Sequence, residues 1–262
     1  MVARPRVLIT RPGERAVPLA RALEARGAEP LELEAMRLEP LPETPAIRQA
    51  WLDFDNLDRV IVVSPFAARC LAEGLDRYWP QLPLGPRFYA LGAGSAEVLH
   101  RELGVRVHLP PAAAGTTSEA LLTLPSLASL AGQRVLLAAG EGGRPTLGDT
   151  LSQRGARVTR LALYRRELRP PEPAMQARLR EGDFAALVVT SGELLEHLAG
   201  WCHKAALNQP LIVSSRRLAT LADNLGFLRP VMAKGASPAA LAAAVADVCN
   251  LNGADHDDLE KG

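Results

Sequence analysis

The chain repeats itself, and the repeat is long. Pro5–Glu34 (PRVLITRPGERAVPLARALEARGAEPLELE) returns as Gln133–Leu163 (QRVLLAAGEGGRPTLGDTLSQRGARVTRLAL). Each copy reads as a short β-rich run, a turn with an arginine, a helix closed by glycine, and a second short strand. Arg59–Leu71 (RVIVVSPFAARCL) is echoed by Ala186–Leu198 (ALVVTSGELLEHL), and Arg87–Gly104 by Pro210–Gly226. Val107–Leu122, with Thr117-Ser118-Glu119, is echoed by Val231–Ala244, with Ala236-Ser237-Pro238. Solenoid periods are only about 20–50 residues, so a repeat this long is a duplicated domain. Two similar lobes commonly leave a cleft between them, where a ligand site is expected.

The apolar runs are continuous rather than alternating. Val7–Thr10, Val60–Val63, Phe88–Leu91, Val105–Leu109, Val135–Ala138, Val158–Leu163, Leu187–Thr190 and Leu211–Val213 suit parallel strands covered on both faces. The helices between them stop at glycine, the residue best suited to a left-handed cap. Ala16–Arg26 stops at Gly27, Ser95–Leu103 at Gly104, Thr146–Arg154 at Gly155 and Arg217–Leu225 at Gly226. The expected fold class is α/β with two parallel sheets. The simplest partition is two contiguous halves split near Leu130. Two proline-rich stretches, Glu39–Pro45 (EPLPETP) and Arg169–Pro173 (RPPEP), read as stiff extended connectors. Their positions favour a first unit that folds with the back half and a repeat that folds with the middle. The tail Asn252–Gly262 is polar, acidic and expected to fray.

Composition narrows the function. A net charge of +1 and 4% aromatics supply neither a phosphate-binding excess nor a stacking platform, which argues against nucleic acid. No apolar run approaches the ~20 residues of a membrane helix. The apolar stretch in MVARPRVLIT is far short of the roughly 7–15 residues of a signal-peptide core. The expected location is the cytoplasm. Cys70, Cys202 and Cys249 are odd in number and widely spaced, as for buried small hydrophobes in a reducing compartment.

Familiar catalytic signatures are missing: no H-E-x-x-H, G-x-S-x-G or P-loop occurs. His197, Cys202 and His203 are neighbours in sequence, but a metal site needs three or four converging ligands, and they read as part of ordinary helical sequence. Gly92-Ala93-Gly94 lacks the third glycine of a dinucleotide loop, with Glu97 in its place. What remains is a series of strand-to-helix turns rich in small polar residues, at Thr10–Pro12, Ser64-Pro65, Gly92–Ser95, Thr117-Ser118, Gly140–Arg144, Thr190-Ser191 and Ser214-Ser215. The carboxyl ends of parallel strands are where such sheets bind ligands, and helix N-termini there favour anions. Arg11 and Arg144 occupy equivalent points of the two copies and are suited to pair with carboxylates. Taken singly, each Ser or Thr is an N-cap; together they predict an anion-binding cleft.

In order and spacing these motifs match a known family. The chain resembles uroporphyrinogen-III synthase over nearly its whole length. The residues that carry the match are Leu8-Ile9-Thr10-Arg11-Pro12, Val62-Val63-Ser64-Pro65-Phe66-Ala67 and Leu91-Gly92-Ala93-Gly94-Ser95-Ala96. Further along come Thr117-Ser118-Glu119, Gly140-Glu141-Gly142-Gly143-Arg144, Leu163-Tyr164-Arg165, Val189-Thr190-Ser191 and Ala236-Ser237-Pro238. The resemblance implies two similar α/β domains, each a parallel β-sheet flanked by helices, of the HemD-like and flavodoxin-like kind. Domain 1 would be discontinuous, residues 1–35 plus 168–262, and domain 2 would be 40–163, with extended linkers at about 36–39 and 164–167. It further implies the dehydration and cyclisation of hydroxymethylbilane with inversion of ring D, through a spirocyclic intermediate and without cofactor or metal.

By the same resemblance Tyr164 takes the family's tyrosine position, with a general-acid-like role toward the departing hydroxyl. Ser64, Ser95 and Ser191 match hydroxyls that bind substrate carboxylates. Arg11, Gly92, Ser118, Gly140, Arg144 and Ser215 complete the expected substrate-binding set. In the closing half relatives often carry threonine where this chain has Arg216-Arg217-Leu218, so the hydroxyl there falls to Ser214 or Ser215. The expected partner is the small-molecule substrate, with handover from hydroxymethylbilane synthase left open, and the expected state is a monomer. The competing reading is a non-catalytic binder of tetrapyrroles or other anionic small molecules built from two α/β lobes.

Overall fold

Runs that are apolar at every position can be satisfied only by burial on both faces, and here most of them form inner strands of two sheets, while the Val105–Leu109 run supplies an edge strand. The computed structural model describes residues 4–11 and 16–251. Pro12 and the tail Asn252–Gly262 lie outside the described residues. Along the chain the strands are β1 (Arg6–Ile9), β2 (Glu29–Glu32), β3 (Met36–Pro40), β4 (Arg59–Val62), β5 (Arg87–Ala90), β6 (Val107–His108), β7 (Arg134–Gly140), β8 (Arg157–Leu168), β9 (Ala186–Val189), β10 (Leu211–Val213) and β11 (Pro230–Met232). The helices are α1 (Val17–Glu24), α2 (Pro45–Leu52), α3 (Pro65–Tyr78), α4 (Ala93–Leu103), α5 (Ser118–Leu121), α6 (Thr146–Gln153), α7 (Pro173–Glu181), α8 (Gly192–Ala199), α9 (Lys204–Leu207), α10 (Arg216–Asn224) and α11 (Pro238–Val248).

By packing, the chain divides into two units, Met1–Arg37 with Glu167–Gly262, and Leu38–Arg166. The sheet of the first unit has the order β11-β10-β9-β1-β2, with every pair parallel. The second has β3-β8-β7-β4-β5-β6, parallel from β8 to β6. Five successive strands are equivalent: β2-β1-β9-β10-β11 in one unit and β8-β7-β4-β5-β6 in the other. Chain order alone differs, so the two units are circular permutations of one doubly wound pattern.

Side chains along the strands alternate between two apolar clusters per sheet. In the first unit Val7 and Ile9 join one cluster and Leu8 the other. In the second, Val60 and Val62 face the α3 side, while Ile61 packs with Leu121, Leu147 and Leu151 of α5 and α6. The four glycines expected to end helices are left-handed, Gly27 (φ 82), Gly104 (φ 67), Gly155 (φ 94) and Gly226 (φ 88), whereas Gly200 at the end of α8 is not.

Two expectations are corrected. The second sheet is not wholly parallel. Leu41 N–H donates to the Leu163 carbonyl (2.9 Å) and Arg169 N–H to that of Ala35 (3.0 Å), so residue numbers rise along β3 as they fall along β8. β3 is therefore an antiparallel edge strand. The proline-rich stretches are also not simple connectors. Glu39–Pro45 ends β3 and starts α2, where Thr44 Oγ1 accepts the Ile47 N–H (3.2 Å). Arg169–Pro173 leads into α7. Pro45 and Pro173 are first helical residues, where the missing N–H would have had no partner in any case.

Candidate active site

In a doubly wound sheet, helices leave in opposite directions at the strand pair where the order reverses, and the carboxyl ends of that pair open a crevice. In the second unit the pair is β4 and β7. β4 is followed by Ser64 and α3; β7 ends at Gly140. Ser64 is the N-cap of α3: its Oγ accepts the Ala67 N–H at 3.1 Å, and it is only 7% exposed. The capping bond uses the hydroxyl only as an acceptor, and its capacity for a further bond is also met. The second partner is Tyr164, whose hydroxyl shares a hydrogen bond of 3.1 Å with Ser64 Oγ.

A strand irregularity brings Tyr164 there. Ala138 pairs with Leu161 and Ala139 with Ala162, but Gly140 pairs with Tyr164, so Leu163 is an extra residue in β8. A β-bulge re-aims the side chains that follow it. Without it, Tyr164 would point to the face opposite Leu163. With it, Leu161, Leu163 and Tyr164 all enter the cluster on the α3 side. The Tyr164 ring lies over Gly140 and meets Phe66 of α3 edge to face, with centroids 5.0 Å apart at 67°. The strand does not end at Tyr164; β8 continues to Leu168.

The other candidates of the second unit line the same sheet edge. Gly92 is the N-cap of α4, and a Cβ there would approach Thr116 Cγ2 to 3.0 Å; a Cβ at Gly94 would touch Pro65 at 3.4 Å. Ser95 is buried in the first turn of α4. Ser118 begins α5, but the cap is Thr117, whose Oγ1 accepts the Ala120 N–H at 3.1 Å. Arg144, largely exposed, pairs with Glu119 at 3.2 Å and so links the loop after β7 to the start of α5. Backbone hydrogen bonding at that helix start, then the Arg144 charge, holds the Glu119 carboxyl below its ordinary value.

In the first unit the reversal falls between β1 and β9. Thr10 is buried, and its hydroxyl donates to the Val188 carbonyl at 2.9 Å, tying the end of β1 to β9. Arg11 donates to the Ala236 carbonyl, next to Ser237, the N-cap of α11. Ser191 is the N-cap of α8 without a side-chain capping bond, whereas Ser215 accepts the Leu218 N–H at 3.4 Å. Thus Ser64, Gly140 and Tyr164 make one bonded cluster. Arg11, Ser191 and Ser215 sit on separate turns of the other sheet's carboxyl edge. Phe66 and Thr117 stood within the motifs read from sequence, and Thr117 within the series of polar turns, but neither was named as a site residue.

His197 and His203 belong to other elements. His197 Nε2 donates to the Arg169 carbonyl (2.8 Å), and His203 is the N-cap of α9. Among the described residues no group of three His, Cys, Asp or Glu is placed to hold a metal ion. Burial pushes the Cys202 thiol up to about 12 and, with the Glu73 charge, the Cys70 thiol up to about 11. No described helix is long and apolar enough to cross a membrane. Two surface hollows of about 450 and 410 Å³ involve α3, and neither is lined by any candidate residue. The chemistry of the bonded cluster is therefore a better guide to function than concavity.

Comparison with known proteins agrees with the fold. The sequence profile described as uroporphyrinogen-III synthase HemD matches residues 17–243. The chain is 34% identical over 227 residues to the uroporphyrinogen-III synthase of Salmonella typhimurium, covering 84% of this chain and 92% of that protein. It is 33% identical over 232 residues to that of Escherichia coli, with the same coverage. In fold it is similar to the uroporphyrinogen-III synthetase of Helicobacter pylori, with a TM-score of 0.59 at 15% identity over 95% of this chain and 99% of that one. A uroporphyrinogen III synthase mutant from Thermus thermophilus gives a TM-score of 0.55 at 21% identity over 95% and 98%. Profile, relatives and fold point one way: the chain belongs to the uroporphyrinogen-III synthase family.

Proposed function

We propose that this chain dehydrates and cyclises hydroxymethylbilane to uroporphyrinogen III with inversion of ring D, a lyase step in tetrapyrrole biosynthesis. The observation that carries the reading is the hydroxyl pair Ser64–Tyr164, held at 3.1 Å at the carboxyl edge of a doubly wound sheet in a member of this family. Loss of water from an electron-rich hydroxymethylpyrrole needs a proton for the leaving oxygen. Tyr164 is the donor in this reading, a positioned general acid of the kind that contributes about 10²–10⁴ in rate. Nearby dipoles whose negative ends face the ring stabilise the azafulvene cation that forms. Because spontaneous closure gives the non-inverted isomer, the enzyme's main task is to hold the bilane in the conformation that leads to inversion.

The substrate's acetate and propionate groups call for dispersed anion recognition rather than one strong site. Arg11, Ser191 and Ser215 on one unit and Gly92, Ser95, Ser118, Gly140 and Arg144 on the other are proposed for that role. We read the two units as domains 1–35 plus 168–262 and 40–163, the protein as a cytoplasmic monomer, and transfer from hydroxymethylbilane synthase as a route of substrate supply. The test is to generate hydroxymethylbilane in situ with and without the protein and to separate the oxidised uroporphyrin isomers. A type III product that dominates only with the protein supports the reading. Type I alone, with folded protein, leaves a tetrapyrrole binder.

A further inference from the structure

Glycines in a turn are most often required by backbone conformation, and Gly142 is one such case, at φ 71 with nothing within 4 Å of where a Cβ would stand. Gly140 is the opposite case. Its φ is not left-handed, so alanine would fit the backbone. Yet a Cβ on Gly140 would lie 2.6 Å from Tyr164 Cζ, 2.8 Å from Cε2 and 3.0 Å from Cε1. It would strike the ring at its hydroxyl-bearing carbon and leave the chain path untouched. Three features converge on this spot. The extra residue Leu163 sets Tyr164 opposite Gly140. Phe66 packs edge to face against the ring, with centroids 5.0 Å apart. The hydroxyl then falls within hydrogen-bond reach of Ser64, itself anchored by the Ala67 N–H.

We propose that Gly140 is a positioning residue for Tyr164: the missing side chain at the bulge is the seat on which the phenol ring rests, and it sets the hydroxyl against Ser64. The inference rests on the proposed role of Tyr164 and deepens it. Gly140 acts by leaving the ring its place, so even one methyl group displaces the phenol. A displacement on the order of 1 Å at a reacting group can lower turnover about a hundredfold.

The experiment is a set of variants assayed with hydroxymethylbilane generated in situ, with kcat, KM and isomer ratio read together. G140A is expected to lower kcat about ten- to a hundredfold, with KM within about threefold of wild type. In the Y164F background, which keeps the ring but lacks the hydroxyl, G140A is expected to change kcat by less than about twofold. Additive losses in that double-mutant cycle would overturn the proposal, because Gly140 would then be acting on something other than the hydroxyl. Thermal unfolding supplies the second arm. G140A is expected to lower the midpoint in the wild-type and Y164F backgrounds and to leave it unchanged or raised with Y164A, where the ring is gone. If G140A does not fold, rescue of folding by Y164A supports the steric seat, and failure of rescue overturns it. An active wild type with impaired Y164F and wild-type-like G140A refutes the Gly140 role alone. A wild type that leaves the isomer ratio at its spontaneous value refutes the functional reading itself.

Discussion

The two units share one strand succession and one set of helix stops, yet their equivalent turns differ in chemistry. Ser64 and Ser191 both follow the strand at the reversal of order and both precede a helix. Ser64 is buried and holds two partners, a backbone N–H and the Tyr164 hydroxyl. Ser191 makes no side-chain capping bond. The difference originates one strand away. β2 pairs with β1 in unbroken register from Arg6↔Glu29 to Ile9↔Glu32 and stops, whereas β8 is twelve residues long and carries the bulge. Duplication supplied two scaffolds; an extra residue in one of them placed an aromatic hydroxyl at the edge. An inherited fold is thus not enough to confer a site.

Four experiments break or sharpen this contrast. The largest effect belongs to Tyr164. Y164F should lower kcat by about 10²–10⁴ with little change in KM, and unchanged turnover would return the hydroxyl pair to a structural role. Next come the equivalent helix-closing glycines. A Cβ on Gly27 would stand in open space, while one on Gly155 would meet Ala131 Cα at 2.9 Å. Alanine in a left-handed conformation costs about 1–2 kcal/mol, and the backbone clash adds to this, so G155A should cost about 3 kcal/mol against about 1 for G27A. Denaturant midpoints of the two variants measure the difference, and equal losses would contradict the packing described at Gly155. Third, S64A should lose about 1 kcal/mol through its cap and should also reduce turnover. S191A should stay within about 0.5 kcal/mol of wild type. Comparable stability losses would mean that the two serines are equivalent after all.

The smallest effect is acid sensitivity. His108 on β6 stacks on Tyr89 at 5.0 Å, where the equivalent pair of the first unit is Ile212 and Val231. Burial, then the charges of Arg106 and Arg87, lowers the His108 pKa from its ordinary 6.5. The folded-state value lies below the unfolded one, so the neutral ring contributes stability that is full above pH 6.5 and fades as the pH falls through the lowered value. Unfolding midpoints between pH 7 and pH 5 should therefore fall less steeply in H108Q than in wild type. Identical slopes would remove His108 as the cause.

Much of the architecture was legible because it rests on local physical rules. Unbroken apolar runs mark strands covered on both faces, and glycines at helix ends mark left-handed caps. Polar β2 (EPLE) and β3 were harder to read, since edge strands are under no obligation to be apolar. EPLPETP hid a strand end and a helix start because proline suits both. For the candidate site, Ser64 and Tyr164 could be named through family motifs, but their contact could not. Leu161-Ala162-Leu163-Tyr164 reads as an ordinary strand, and nothing in its residue types reveals that Leu163 has no register partner in β7. Register is a property of two strands, and the shift becomes visible only when β7 is laid beside β8.

The permuted strand order also has a temporal side. A chain made from its amino end releases Leu38–Arg166 as a continuous stretch, so the second unit has all its strands while most of its partner unit is still unmade. β1, an interior strand, then has β2 on one flank and an open flank on the other until β9 arrives. Closing so long a loop adds only modest entropy, because the penalty grows with the logarithm of length. The lasting burden is exposure of an unpaired apolar strand edge during synthesis. Pulse-labelling of backbone amides on nascent chains should find β4, β5 and β7 protected before β1. Earlier protection of β1 would mean that it finds a temporary partner.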